Sequence, residues 1–223
     1  MAAASVEVDV WSDYVCPFCY LELPELARLR ERFGDTVAIR WRAFELRPDP
    51  VPTLDPNGEY LHRVWGEAVH PMASARSMVL RLPPVQPRSR LAHEAAAFAR
   101  DRGRFDAVHE ALFRAFFQDG RDLAEASVLR DVAAGAGLDP DALGAALAEG
   151  RHTAGVLADE AAARRLGLTG VPAMVVGHSG GGERVLVSGA QPFEVLERAV
   201  RPFASKGGRQ TSSNHSTSPS SRS

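Results

Sequence analysis

Apolar Val6, Val8 and Val10 alternate with polar neighbours, a two-residue period that predicts a strand running to Trp11. Beyond Cys16-Pro17-Phe18-Cys19 the period changes. Leu21, Leu26, Leu29 and Phe33 recur at helical spacing until Gly34 stops the run, and Pro17 suits a helix's first turn, where its missing N–H costs nothing. Alternation resumes from Val37 to Phe44 as a second strand, completing a strand–helix–strand unit of the kind that opens a parallel pairing.

The pattern then breaks at Pro48, Pro50, Pro52 and Pro56, which with Gly58 mark an extended connection. Helical stripes follow: Leu91, Ala95, Phe98 and Ala99; then Phe105, Val108, Leu112, Phe113 and Phe116, ending near Gly120; then Leu129, Val132, Ala133 and Ala136, closed by Gly137. Asp139-Pro140 reads as an N-cap and first-turn proline for a short helix carrying Leu143, Ala146 and Leu147 to Gly150. An Ala-rich helix from Arg151 to Leu166 ends at Gly167. Strand character returns at Ala173–Val176 and Arg184–Val187 around the hairpin loop 178–182, and a last helix covers Gln191 to Phe203. The chain is thus an α/β unit interrupted by a helical block of roughly a hundred residues.

Composition narrows the class. The 223 residues are 45% hydrophobic and 24% charged with net charge -2, an ordinary globular balance that excludes wholesale disorder and gives no basic face for nucleic acid. No apolar run reaches the ~18 residues that cross a bilayer. The start, Met1-Ala2-Ala3-Ala4-Ser5, has neither basic nor apolar signal regions, so a cytoplasmic location is expected. The stretch 205–223 is Ser-rich, carries Lys206, Arg209 and Arg222 without an acid, and reads as a disordered tail that leaves the body at -5. Lys206 is the only lysine, which with the abundant alanine suggests a GC-rich, bacterial coding sequence.

Cys16 and Cys19 are the only cysteines. At a strand-to-helix junction the first sits where unpaired N–H groups and the positive dipole end favour a thiolate. The second, one turn on, is placed to attack a mixed disulfide formed at the first, which makes Cys16 the nucleophile and Cys19 the resolving thiol of an exchange centre. A lone CxxC is also half of a zinc site, but no further cysteine remains and the seven histidines show no partner spacing, so no metal is expected. The blandest alternative is two inert thiols packed as small hydrophobes. Val171-Pro172 precedes an apolar strand, where a residue without an N–H belongs. Asp13 and Glu45 are candidate proton acceptors for Cys19, although ordinary loop acids are the commoner outcome; His93, at the start of the helix after Pro87, is a candidate to face the active-site groove, although a capping or solvent-exposed histidine is the commoner outcome.

Four separated motifs carry a resemblance: Val-Cys-Pro-Phe-Cys-Tyr at 15–20, Trp-Arg-Ala-Phe-Glu-Leu-Arg-Pro at 41–48, Gly-Val-Pro-Ala at 170–173 and Ser-Gly-Ala-Gln-Pro at 188–192. Over about residues 6–203 the chain resembles the DsbA-family thiol–disulfide oxidoreductases, and more closely their cytosolic FrnE-like branch. The resemblance implies an α/β, thioredoxin-like fold with an inserted all-helical domain. It divides the chain into a thioredoxin-like first part (5–57), a helical insert (58–150), a thioredoxin-like second part (151–204) and the tail. It also implies that Pro172 is the family's cis-proline facing Cys16, that the Val171 backbone takes substrate as an added strand, and that the partners are protein or small-molecule thiols and disulfides. No cofactor is expected beyond the Cys16–Cys19 disulfide itself, with glutathione a possible co-substrate. The Pro17-Phe18 pair is similar to the FrnE-like Pro-Trp rather than the Pro-His of periplasmic DsbA. Activation of Cys16 therefore falls mainly to the helix terminus, and Phe18 is expected in an apolar rim beside the sulfur. A glutathione-dependent isomerase or transferase of the kappa-class or 2-hydroxychromene-2-carboxylate type is the alternative within the fold. Those relatives typically carry serine for the reactive cysteine and lack a resolving thiol. A non-catalytic peptide-binding module is the second alternative, and would leave function intact in Cys16→Ser.

Overall fold

The computed structural model describes residues 4–204; the Ser-rich stretch 205–223 and the first three residues lie outside them. Strand β1 (Val6–Ser12) is one of the two inner strands of a four-stranded sheet. It pairs in parallel with β2 (Val37–Ala43), from Val6 opposite Val37 to Ser12 opposite Ala43, and antiparallel with β3 (Ala173–His178), from Val6 opposite His178 to Trp11 opposite Ala173. Strand β4 (Arg184–Ser188) closes the order β2-β1-β3-β4 by pairing antiparallel with β3.

The alternation along β1 assigns its faces. Val6, Val8 and Val10 pack with Leu26 and Leu29 of α1 (Pro17–Phe33) and with Leu196, Val200 and Phe203 of α9 (Phe193–Ala204). On the opposite face Trp11, Ala173 and Val175 pack against Ala163 of α8 (Thr153–Arg165), and the Trp11 indole donates to the Asp159 carbonyl at 3.0 Å. Asp9 also sits on that face, almost fully buried. Burial opposes its charge, but hydrogen bonds from Arg40 and Arg42 outweigh it and hold the carboxyl below its usual value. Gly34, at φ 52°, ends α1 in a backbone state open to glycine at no steric cost.

Between β2 and α8 the chain is helical: α2 (Glu59–Val64), a π-helical turn (Trp65–Val69), α3 (His70–Ala75), α4 (Arg90–Arg100), α5 (Phe105–Phe117), α6 (Ala126–Gly135) and α7 (Pro140–Ala148). Leu61, Trp65, Val69 and Ala73 keep a four-residue buried stripe through α2 and α3 although Pro71 interrupts the hydrogen bonding. Pro71 lacks the N–H that would reach the Glu67 carbonyl, and the wide turn lies at that point. Asp139 caps α7 as its sequence predicts, accepting from the Asp141 and Ala142 N–H groups at 2.9 and 3.2 Å.

The helical core is aromatic: Phe98, Phe113, Phe116 and Phe117 are fully buried. The same cluster takes in Tyr14, Cys16, Cys19, Tyr20 and Leu21 from the start of α1, and Tyr20 stacks on Phe113 and Phe117 at 5.3 and 5.7 Å. The two cysteines are therefore seated against the helices rather than over the valines of the sheet.

Candidate active site

Beyond Ser12 the chain leaves the sheet in a turn, and the Cys16 N–H bonds back to the Asp13 carbonyl at 3.1 Å. Cys16 is the N-cap of α1, with an extended backbone at φ -95° and ψ 113°. Its carbonyl accepts from Cys19 and Tyr20 N–H at 3.1 and 3.3 Å, while Pro17 fills the first helical position. No side chain caps this end, and the first turn contains no acid. The positive end of the helix dipole is left for a charge on the Cys16 sulfur.

Both thiols are free, at 3% exposure for Cys16 and 1% for Cys19. Their settings differ. Cys16 Sγ lies 3.5 Å from the Val171 carbonyl, to which it donates. Cys19 Sγ accepts from the Asp13 N–H at 3.5 Å and has the Ser12 hydroxyl beside it. Burial, and then the neighbouring Cys16, push the Cys19 thiol well above its ordinary range, with Asp13 N–H and Ser12 acting the other way.

The predicted residues converge on one place. Val171 is half-buried, the Val171–Pro172 bond is cis, and the Pro172 carbonyl accepts from Gly189 N–H at 2.8 Å, which fastens this turn to the end of β4. Pro17 and Phe18 are half-buried at the helix start, and Phe18 rests on the helical core.

Three side chains depart from expectation. Asp13 and Glu45, read as loop acids, are both buried, and so is His93, read as a capping or exposed group. The reason is that the turn after β1 and the segment after β2 are roofed by α4. The Asp13 carboxylate accepts from Leu46 and Val15 N–H groups at 2.7 and 3.3 Å, and His93 Nε2 stands 3.6 Å from Asp13 Oδ1. Asp13 is thus a bracket joining the two loops, and it meets Cys19 through its backbone N–H. Glu45 pairs with Arg90 near Glu160; burial first, then the shared proximity of Glu160, raise its carboxyl to about 7 against the opposing pull of Arg90.

Sequence reasoning passed over a further buried carboxylate. Glu22, three residues past Cys19, is fully buried, with Oε2 accepting from Arg76 of the helical insert and from Gln191 N–H, both at 3.0 Å. Arg76 also donates to the Gln191 carbonyl at 2.7 Å, so α1, the turn after α3 and the entrance to α9 meet in one cluster. Its only sequence signal is an acid on the apolar side of a helix.

A four-stranded sheet with this order, a dithiol starting its first helix and the Val171–Pro172 turn against the first sulfur define a thioredoxin-like oxidoreductase scaffold carrying a helical insertion. The family model of the DSBA-like thioredoxin domain matches residues 7–201, and the chain belongs to that family. The uncharacterized protein YwbO of Bacillus subtilis (strain 168) is 31% identical over 201 residues, covering 88% of this chain and 96% of YwbO. Among solved structures, the probable DsbA oxidoreductase SCO1869 of Streptomyces coelicolor is similar at TM-score 0.74 and 28% identity over 94% of each chain. The cytosolic disulfide reductase DsbM of Pseudomonas aeruginosa, also solved with GSH, shares the fold at TM-score 0.67 and 22% identity over 88% of this chain and 99% of its own. No helix among the described residues is long and apolar enough to cross a membrane.

Proposed function

We propose that the protein is a cytosolic, FrnE-like thiol–disulfide oxidoreductase in which Cys16 attacks and Cys19 resolves. The observation that carries this reading is the asymmetry of the two sulfurs. Cys16 stands at an uncapped helix terminus against the Val171 carbonyl, while Cys19 is buried one turn deeper with its proton held. The Cys16 thiolate displaces one sulfur of a substrate disulfide, releasing a thiolate and forming a mixed disulfide. Cys19 then loses its proton and attacks Cys16 Sγ, which expels the second substrate sulfur as thiolate. Two electrons pass to the substrate, and the protein holds a Cys16–Cys19 disulfide. The reverse sequence oxidises a substrate dithiol.

With Cys16 drawn into the mixed disulfide, the Val171 carbonyl is free to accept from a substrate backbone, as in strand addition. Protein or small-molecule thiols and disulfides are the proposed partners, with glutathione as co-substrate and no other cofactor. The cytosolic assignment follows the likeness to DsbM. Retention of both cysteines favours exchange over glutathione-dependent isomerisation, which needs no resolving thiol.

The test is equilibration against a glutathione redox series, read by thiol alkylation and mass. A two-electron transition between roughly -270 and -120 mV is expected, its position giving the direction of exchange. Failure of an intramolecular disulfide to form at any poise overturns the reading.

A further inference from the structure

Behind the dithiol, between the ends of β1 and β2 and helices α4, α5 and α8, lies a cavity of about 320 Å³. None of Cys16, Cys19, Phe18, Val171 or Pro172 lines it. Three of its lining residues, Ser12, His93 and His109, are polar and buried. Two of them are turned to other groups: Ser12 Oγ lies beside Cys19, and His93 Nε2 stands 3.6 Å from Asp13 Oδ1. His109 Nε2 is buried without a hydrogen-bond partner among the described residues. The volume lies at the lower end of the range for small-molecule sites, roughly 300–1,000 Å³.

The rest of the wall limits what fits. The His109 ring is stacked on Phe105 at 5.0 Å and lies 4.2 Å from Trp41, so the lining is flat and aromatic on the α5 side. Tyr14 takes His109 Nδ1 at 2.8 Å; with the hydroxyl donating, Nε2 carries the proton on the cavity side. The charges are unequal in availability. Arg42 is engaged by Asp9 and Asp159 at 3.0 and 3.1 Å, and Asp159 in turn accepts from Ala43 N–H at 3.1 Å. Arg100 is exposed at the rim, lies over Phe105 at 4.5 Å and donates to the Trp41 carbonyl at 3.0 Å. Among the described residues no carboxylate lies within ion-pair distance of it. The wall therefore offers one unneutralised cation at the mouth and aromatic surface within.

We propose that this cavity is a binding site, separate from the dithiol, for a small carboxylate with a flat apolar body, its carboxylate on Arg100 and its ring against Trp41 and Phe105. Occupancy requires no thiol chemistry, so the site stands whether or not Cys16 and Cys19 exchange disulfides.

The probe is benzoate, titrated into the reduced full chain by calorimetry and by tryptophan fluorescence, with benzamide and acetate as comparisons. Saturable binding of benzoate is expected, with benzamide and acetate each weaker by about tenfold or more, since each lacks one of the two recognition elements. Arg100→Gln, a change at an exposed position, is expected to weaken benzoate to the level of benzamide. Trp41→Phe is expected to abolish the fluorescence change while Cys16→Ser leaves both readouts as in the wild type. Calorimetry showing no saturable heat, equal affinity for benzamide, undiminished binding by Arg100→Gln, or dependence on Cys16 each overturns the proposal.

Discussion

Cys16 Sγ and the Val171 carbonyl oxygen lie 3.5 Å apart although 155 positions separate them in the chain. The sheet register brings them together. Trp11, near the end of β1, faces Ala173, the first residue of β3, so the turn leaving one strand meets the turn entering the other. In the proposed exchange this contact sets the attacking sulfur beside a backbone acceptor, the two groups that strand-wise capture of a disulfide-bearing chain would use. The same proposal orders the events: substrate first meets the sulfur that touches Val171, and the sulfur behind it closes the cycle.

That order predicts different phenotypes for the two serine variants. Cys16→Ser is expected to lose turnover and to form no covalent adduct with a disulfide substrate. Cys19→Ser is expected to lose turnover but accumulate a mixed disulfide at Cys16, visible as added mass that a reductant removes. Adduct formation at Cys19 in the Cys16→Ser protein, at a rate matching that of Cys16, is incompatible with the assigned roles.

Glu22 gives the fold a pH dependence of defined sign. Burial, the dominant cause, raises its carboxyl from 4.5 to about 7 although Arg76 and the Gln191 N–H oppose the shift. The folded protein then binds more protons than the unfolded chain across that window. The stabilisation is complete below the unfolded value and is lost as pH rises through about 7. Thermal unfolding is expected to show Tm falling between about pH 5 and 7.5, with a shallower fall in Glu22→Gln. Glu45, raised to about 7 chiefly by burial, has the same sign, so a residual slope is expected in that variant. Parallel curves for wild type and Glu22→Gln would exclude Glu22 as the source.

What the sequence revealed and what it hid have separate physical causes. The dithiol, its helix, the sheet strands and the proline turn are written in local signals: a period of two, a period near four, a proline at a first turn. Asp139 capping is of the same kind. The buried acids are not, because Asp13, Glu22 and Glu45 acquire their surroundings from partners far along the chain, namely Leu46, Arg76 and Arg90. Helix α2–α3 keeps a regular stripe at Leu61, Trp65, Val69 and Ala73, but Pro71 within it breaks the pattern that a sequence reading depends on. His109 looks like one more member of the Phe105–Phe113 stripe, and only the approach of Tyr14 and Trp41 makes it part of a polar wall.

Tyr14 links the turn after β1 to α5, and among the described residues its hydroxyl is the sole hydrogen-bond partner of the His109 ring. Burial lowers the His109 pKa to about 3 and raises that of Tyr14, so both are neutral at any working pH. Tyr14→Phe keeps the ring contacts with His93 and Phe113 but strands Nδ1. A loss of about 1–3 kcal/mol is expected in urea unfolding, with m unchanged. A change within error would mean that the freed nitrogen finds another partner.

The last expectation concerns the resolving step. Once Cys16 is held in a mixed disulfide its own thiol no longer bears on Cys19, but burial, the larger cause of the raised Cys19 pKa, persists. Attack therefore waits on a scarce thiolate, and the rate of release should climb about tenfold per pH unit between roughly pH 6 and 9. Ser12 and the Asp13 N–H both favour the anion, and only the first can be removed by substitution. Ser12→Ala should slow release at each pH and move any plateau upward, while capture of substrate by Cys16 is unaffected. Rapid-quench measurement of a preformed glutathione mixed disulfide isolates this step. Release that is flat with pH, or insensitive to Ser12→Ala, would show that deprotonation of Cys19 does not limit it.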